Sequence, residues 1–303
     1  MEEPVDWNQV LADPITGWKD ELPEPLRTTI PFEVGPQIFG DLPSDVILCP
    51  NAEHHSMTDN SGHFNALGSY FASGTFDVRN KYRLIDHGYP MGCSLPWKDA
   101  AQRIFDKLQF PDGGGLTINH PIWSGMNLSQ VCQMLDHDPR VLGIEIWNQT
   151  CDQLNKKGWA LDLWDDILRT GRRCYGFSVS DHAQSSDPNF LGYNRLLIPQ
   201  NTADSEREHA CLKAYRNGRF YCVRTGRLEL RSLHFRDNTL TLQLNHKARI
   251  KVVTATGIQN ESEADSIQMS WSESDRAERK YVRVEAWGLD DEEALFTQPV
   301  FFA

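Results

Sequence analysis

The sequence predicts an α/β fold, parallel β/α units forming a barrel and followed by a small antiparallel β domain. Two observations carry this expectation. Between Leu95 and Gly218, segments of helical period alternate with short apolar runs, the pattern of strands joined by helices. After Gly226 the period drops to two: "TLTLQLN" alternates Leu240, Leu242 and Leu244 with polar residues, and "YVRVEAW" alternates Val282, Val284 and Ala286 with Arg283 and Glu285. That alternation marks antiparallel strands with one wet face. A chain of 303 residues, 40% hydrophobic and 24% charged, has the size and composition to bury a full core.

Residues 1–45 read as an irregular segment. The first fifty positions hold Pro4, Pro14, Pro23, Pro25, Pro31, Pro36, Pro43 and Pro50, half of the 16 prolines, and proline removes a backbone donor. "DVILCP" predicts a short buried strand over Val46 to Cys49, opening a barrel domain of residues 46–225. "LPWKDAAQRIFDKL" places Ala101, Ile104, Phe105 and Leu108 on one helical face behind Pro96. The strand "GLTINHP", a helix over "LSQVCQML", the strand "VLGIEIW", a helix over "ALDLWDDILRTG" ending at Gly171 and the strand "CYGFSVSDH" follow. "SEREHACLKAYRNG" predicts a helix opened by a Ser205–Glu208 capping box and ended at Gly218. Residues 226–303 are expected to form the β domain, with the Ser/Glu/Asp-rich stretch 260–278 as a long surface loop.

A net charge of −12 argues against a nucleic-acid or anionic-membrane surface, since phosphate backbones select basic patches. A small anionic substrate held by a few local cations is compatible with it. No apolar run approaches the ~20 residues a membrane span needs. The opening "MEEPVDWNQVLADP" lacks a basic stretch followed by an apolar core, and the seven cysteines include no C-x-x-C pair. Reduced thiols and a cytoplasmic location are the expectation.

Active residues of β/α barrels gather at the C-terminal ends of strands. His120, Asn148 and Asp181/His182 stand at or just past three such ends. Glu53, His63, His120, Asp181 and His182 are ligand types that Zn, Mn or Fe accepts. On spacing alone the same residues read equally as polar loop groups and satisfied histidines. Glu145 lies mid-strand among Leu142, Ile144 and Ile146, where a lone charge is costly; it pairs with an arginine or orients a ligand histidine. His54 and His55 cannot both face inward from an extended segment, so at least one is a surface or supporting group, and His55 is a candidate for that supporting place. Arg195 and Arg224 are candidates to clamp an anion.

"AEHHSMTDNSGHFNALG", "GGGLTINHPIWS", "VLGIEIWNQ", "GFSVSDHA" and "LKAYRNGRFYCVRTG" occur in an order that resembles the polymerase-and-histidinol-phosphatase (PHP) superfamily, in its branch related to carbamate hydrolases. The ending "YVRVEAWGLDDEEALFTQPVFF" is similar to the β-rich tail of such proteins. The resemblance implies a distorted barrel holding up to three Zn, Mn or Fe ions that activate water. It implies that Glu53 is a bridging carboxylate, His63 and His120 are ligands of one ion, and Asp181 holds a second. The family's early H-x-H and TDH motifs are missing, and Ala183 stands where its late histidine is expected.

The function expected from the sequence is thus a hydrolase with at least one divalent metal, acting on a phosphoester, carbamate or carboxyl ester of a small substrate. Asp181 or His182 would handle the proton, with Glu145, Asn148 and His55 in support. The alternative is a degenerate barrel that binds a ligand or partner without turnover.

Overall fold

The computed structural model of the chain describes residues 46–47, 49–54, 62–70, 84–86, 89–91, 97–181, 191–289 and 292–302. The expected Pro-rich segment 1–45 lies outside them. Of the described residues, 42% lie in strands and 26% in helices, and antiparallel pairing dominates. The expected β/α barrel is therefore not the fold. A short buried apolar run looks the same whether its neighbour runs parallel or antiparallel, and the partner is a tertiary choice.

In chain order, β1 (Asn51–His54) and β2 (Phe64–Leu67) come first, then the pair β3 (Leu84–Asp86) and β4 (Tyr89–Met91), helix α1 (Trp97–Asp106) and strand β5 (Gly115–Ile118). Helix α2 (Leu128–His137), strand β6 (Val141–Asn148), helices α3 (Gln149–Asn155) and α4 (Leu161–Arg169), and strands β7 (Tyr175–Val179) and β8 (Tyr193–Leu196) follow. The rest is helix α5 (Arg207–Arg216), strands β9 (Phe220–Thr225), β10 (Leu230–Arg236), β11 (Thr239–Thr254) and β12 (Gly257–Ser270), helix α6 (Glu273–Arg279), and β13 (Tyr281–Trp287), β14 (Ala294–Thr297) and β15 (Val300–Phe301). No helix among the described residues is long and apolar enough to cross a membrane.

The chain divides into two compact units. The first takes the described residues up to Met126, with His137–Leu142 and Ile198–Asn217. Its frame is an antiparallel ladder, β1 on β2 and β2 on β5. The expected strand at Val46–Cys49 starts later, at Asn51, because Pro50 cannot donate to a ladder; Val46 and Ile47 are exposed instead. Helix α1 buries Ala101, Ile104 and Phe105 of the expected stripe, adds Trp97 and Ala100 to it, and ends before Leu108. Helix α5 has no side-chain cap, so the expected capping box does not form; a short 3-10 turn at Asp204–Glu206 leads into it instead. Leu212 of α5 packs where a Cβ on Gly68 would sit, 2.8 Å from Leu212 Cδ1, and Gly68 has a φ of +76°. The positive φ is what calls for glycine at that turn, since the tip of the Leu212 side chain could give way.

The second unit comprises Asn127–Asp136, Gly143–Leu197 and the residues from Gly218 on. In it β6 pairs in parallel with β7, and a large antiparallel sheet runs β10-β11-β13-β14-β9-β8, with β12 on β11 and β15 on β13. This sheet takes in β8 and β9, which precede Gly226. The stretch expected to be a loop over 260–278 is the paired strand β12 followed by α6. Polar residues with one half-buried face satisfy a strand as well as a loop; the ladder with β11 decides between them. Nor does β13 have the expected wet face. Arg283 is buried, paired with Asp165 of α4 and with Glu285, and lies over the Trp164 ring.

Side-chain amides complete the backbone of β7. Gln298 accepts from Gly176 N and donates to Gly176 O, each at 2.9 Å, and Asn194 does the same for Ser178 at 3.1 Å. Each amide stands in for a strand residue. Replacing Gln298 with leucine should strand Gly176 N and leave Gly176 O with the weak Cys222 thiol donor alone, at a cost of about 1–2 kcal/mol, read as a lower denaturation midpoint with unchanged slope. An unchanged midpoint would refute this role. None of the six described cysteines is in a disulfide, and burial pushes the Cys174 and Cys222 thiols well above their usual pKa.

Candidate metal centre

The ladder of the first unit sets the site. Glu53, Asn65 and Thr117 are direct partners across β1, β2 and β5, so they share one face. Alternation adds His63, two residues before Asn65, and Asn119, two after Thr117. The ladder continues to that level, with Asn119 N donating to His63 O at 2.8 Å. The next rung, His54, Phe64 and Ile118, points to the opposite face and is fully buried. His54 is thereby kept from Glu53 by the pleat. His55 lies outside the described residues.

His120 joins by a turn. Its φ of +25° is rare for a non-glycine residue, and it precedes Pro121. The turn is held by Ser124 N donating to His120 O at 3.1 Å and Met126 N to Pro121 O at 2.9 Å. Ser124 Oγ lies 3.1 Å from His120 Nδ1, which leaves Nε2 to face the carboxylate. Trp123, on the same turn, sets its indole edge-on to the rings of His120 and His63, with centroids 4.8 and 5.6 Å away.

Glu53 Oε1 stands 3.4 Å from His63 Nδ1 and 3.5 Å from His120 Nε2, and ligand atoms of all three residues lie within 4.8 Å of one another. A tetrahedral ion with bonds of about 2.0–2.1 Å spaces its donors about 3.3–3.4 Å apart. The two measured separations fit that edge. Both imidazoles are buried, and the carboxylate is partly exposed, so approach from solvent is open on the Glu53 side. Two imidazole nitrogens and one carboxylate oxygen suit Zn, Mn or Fe better than Ca or Mg, which prefer all-oxygen sets.

The other residues expected at a site belong to the second unit. Asn148 donates from Nδ2 to Glu145 Oε2 at 3.0 Å and to Asp181 Oδ2 at 3.1 Å, while its own Oδ1 accepts from Cys151 N and caps α3. Glu145 thus has Asn148 as a partner. Asp181 has a φ of +60° just past β7, which turns its side chain back onto Asn148. His182 lies outside the described residues. Arg195 is bound to Glu229 at 3.1 Å, which offsets the charge it would offer an anion. Arg224 donates to Glu292 O and stacks over Trp147 and Trp159.

Sequence reasoning missed Asn119, Thr117 and Ser124. A signal existed for one of them: Asn119 sits between an apolar strand and a candidate ligand, a poor place for an amide without a task. Ser124 gave none, because its role depends on the turn closing.

No family model, curated protein or solved structure matches the chain. What the fold and the site define together is a mostly β protein whose first unit presents two imidazoles and one carboxylate at coordination spacing.

Proposed function

We propose that this protein is a metal-dependent hydrolase whose ion is held by Glu53, His63 and His120. The observation that carries the reading is the convergence of these three residues, distant in sequence, on donor separations of 3.4 and 3.5 Å around one carboxylate oxygen. Three protein ligands leave coordination open, as in catalytic rather than structural sites. When bound, such an ion acidifies water and polarises a phosphoryl or carbonyl oxygen. The chain's own part is to hold and orient. Ser124 fixes the ring of His120 so that Nε2 faces inward, and Trp123 screens both imidazoles from water on one side. Glu53 keeps negative charge at the mouth. The substrate is small, and anionic in the phosphoester case. A cytoplasmic location suits six thiols held without a disulfide.

Elemental analysis of the purified chain should find about one Zn, Mn or Fe ion per chain, from the one three-ligand set among the described residues. Turnover should then appear on a panel of phosphomonoester, phosphodiester and carbamate esters and vanish with chelator. Absence of all three metals after reconstitution would sink the reading. A bound ion with no turnover on any ester would favour a binding protein instead.

A further inference from the structure

Glu53 Oε1 has a third neighbour. Asn119 Nδ2 donates to it at 2.9 Å, on the same oxygen that faces His63 and His120. Asn119 is 2% exposed, and both ends of its amide are engaged, because Thr117 Oγ1 reaches Oδ1 at 3.5 Å. Its backbone N–H is tied to His63 O across the ladder. One residue therefore links the carboxylate, the strand of His63 and the residue directly before His120.

Resting on the metal reading above, we infer that Asn119 is the positioning residue that sets which ions this site accepts. A carboxylate oxygen has two lone pairs; Asn119 takes one of Oε1, which leaves a single one for an ion. Held by that bond, Glu53 offers one oxygen beside two nitrogens, a compact set suited to four-coordinate zinc. Without it the carboxylate can rotate to present both oxygens, which suits larger, oxygen-preferring ions such as Mn(II). Partners of this kind alter affinity by about 10–100-fold.

The test uses the full chain with Zn(II), Mn(II) and Co(II) alone, and measures affinity by chelator competition. Asn119→Ala removes the donor; Asn119→Asp keeps the shape, cannot donate when ionised, and adds an oxygen. The expected result for Asn119→Ala is a roughly 10–100-fold loss of zinc affinity. For Asn119→Asp the Mn(II)-to-Zn(II) affinity ratio should rise by about tenfold or more, and the visible Co(II) bands should weaken as coordination number increases. If Asn119→Ala does not fold, Asn119→Asp alone decides. Wild-type zinc affinity, metal preference and Co(II) spectrum in either folded variant would overturn the inference while leaving the metal centre intact. Failure of the wild-type chain itself to bind Zn(II), Mn(II) or Co(II) would overturn both.

Discussion

Replacing His120 should strip the ion from the purified chain and abolish hydrolysis while the fold survives. The change removes one of three protein ligands, so affinity should fall by more than the roughly 100-fold attached to outer partners. The frame does not depend on the ion, since β1, β2 and β5 are held by their own ladder. Alanine also meets a backbone φ of +25° that suits it poorly, so His120→Asn is the companion variant; asparagine tolerates positive φ best among non-glycine residues. The contrast is His54→Ala. His54 is fully buried on the opposite face of the ladder, and its truncation should cost about 2 kcal/mol or more and leave metal content unchanged. Metal stoichiometry and thermal unfolding on the three variants separate ligand from core histidine. Retained metal in both His120 variants would remove the proposed site.

The largest stability effect is expected at Arg283, in the second unit. Its guanidinium binds Asp165 through Nε and Nη2, each at 2.8 Å, and Glu285 through Nη1 at 2.7 Å. Tyr281 also donates to Asp165 at 3.0 Å, and Trp287 Nε1 to Glu285 Oε2 at 3.0 Å. Burial and the neighbouring Asp165 push the Tyr281 hydroxyl far above the usual phenol range, which keeps it a donor at every ordinary pH. Arg283→Met would leave two carboxylates facing apolar surroundings without their counter-charge. A cost of about 3–5 kcal/mol is expected, a fall in Tm on the order of 10 °C. The triple variant Arg283→Met, Asp165→Leu, Glu285→Leu should recover most of that loss, since it removes the stranded charges too. A single variant as stable as the parent would show that the network contributes nothing.

The local layer was legible in the sequence. The helical stripe of α1 and the amphipathic pattern of α4 are periodicities that neighbours only confirm, because each buries its own apolar face. The alternation in β11 is of the same kind. The ligand types were legible in part: of Glu53, His63, His120, Asp181 and His182, the first three converge, Asp181 lies in the second unit and His182 outside the described residues.

Pairing was not legible. A buried apolar run does not encode the direction of its partner: the pattern of β5 suits a parallel barrel strand, yet it pairs antiparallel with β2, and neither β1 nor β2 carries a strand pattern of its own. A polar run does not declare whether a neighbour will bury one side of it, hence β12 in place of a loop and Arg283 inside rather than in water. Nor could spacing show that Asn119 would meet Glu53, 66 positions away. The sequence alone determined which side chains are of metal-ligand type and which helices carry an apolar stripe. Only the tertiary structure decided which of them share a face, because register and strand direction are set by contacts between residues far apart in the chain.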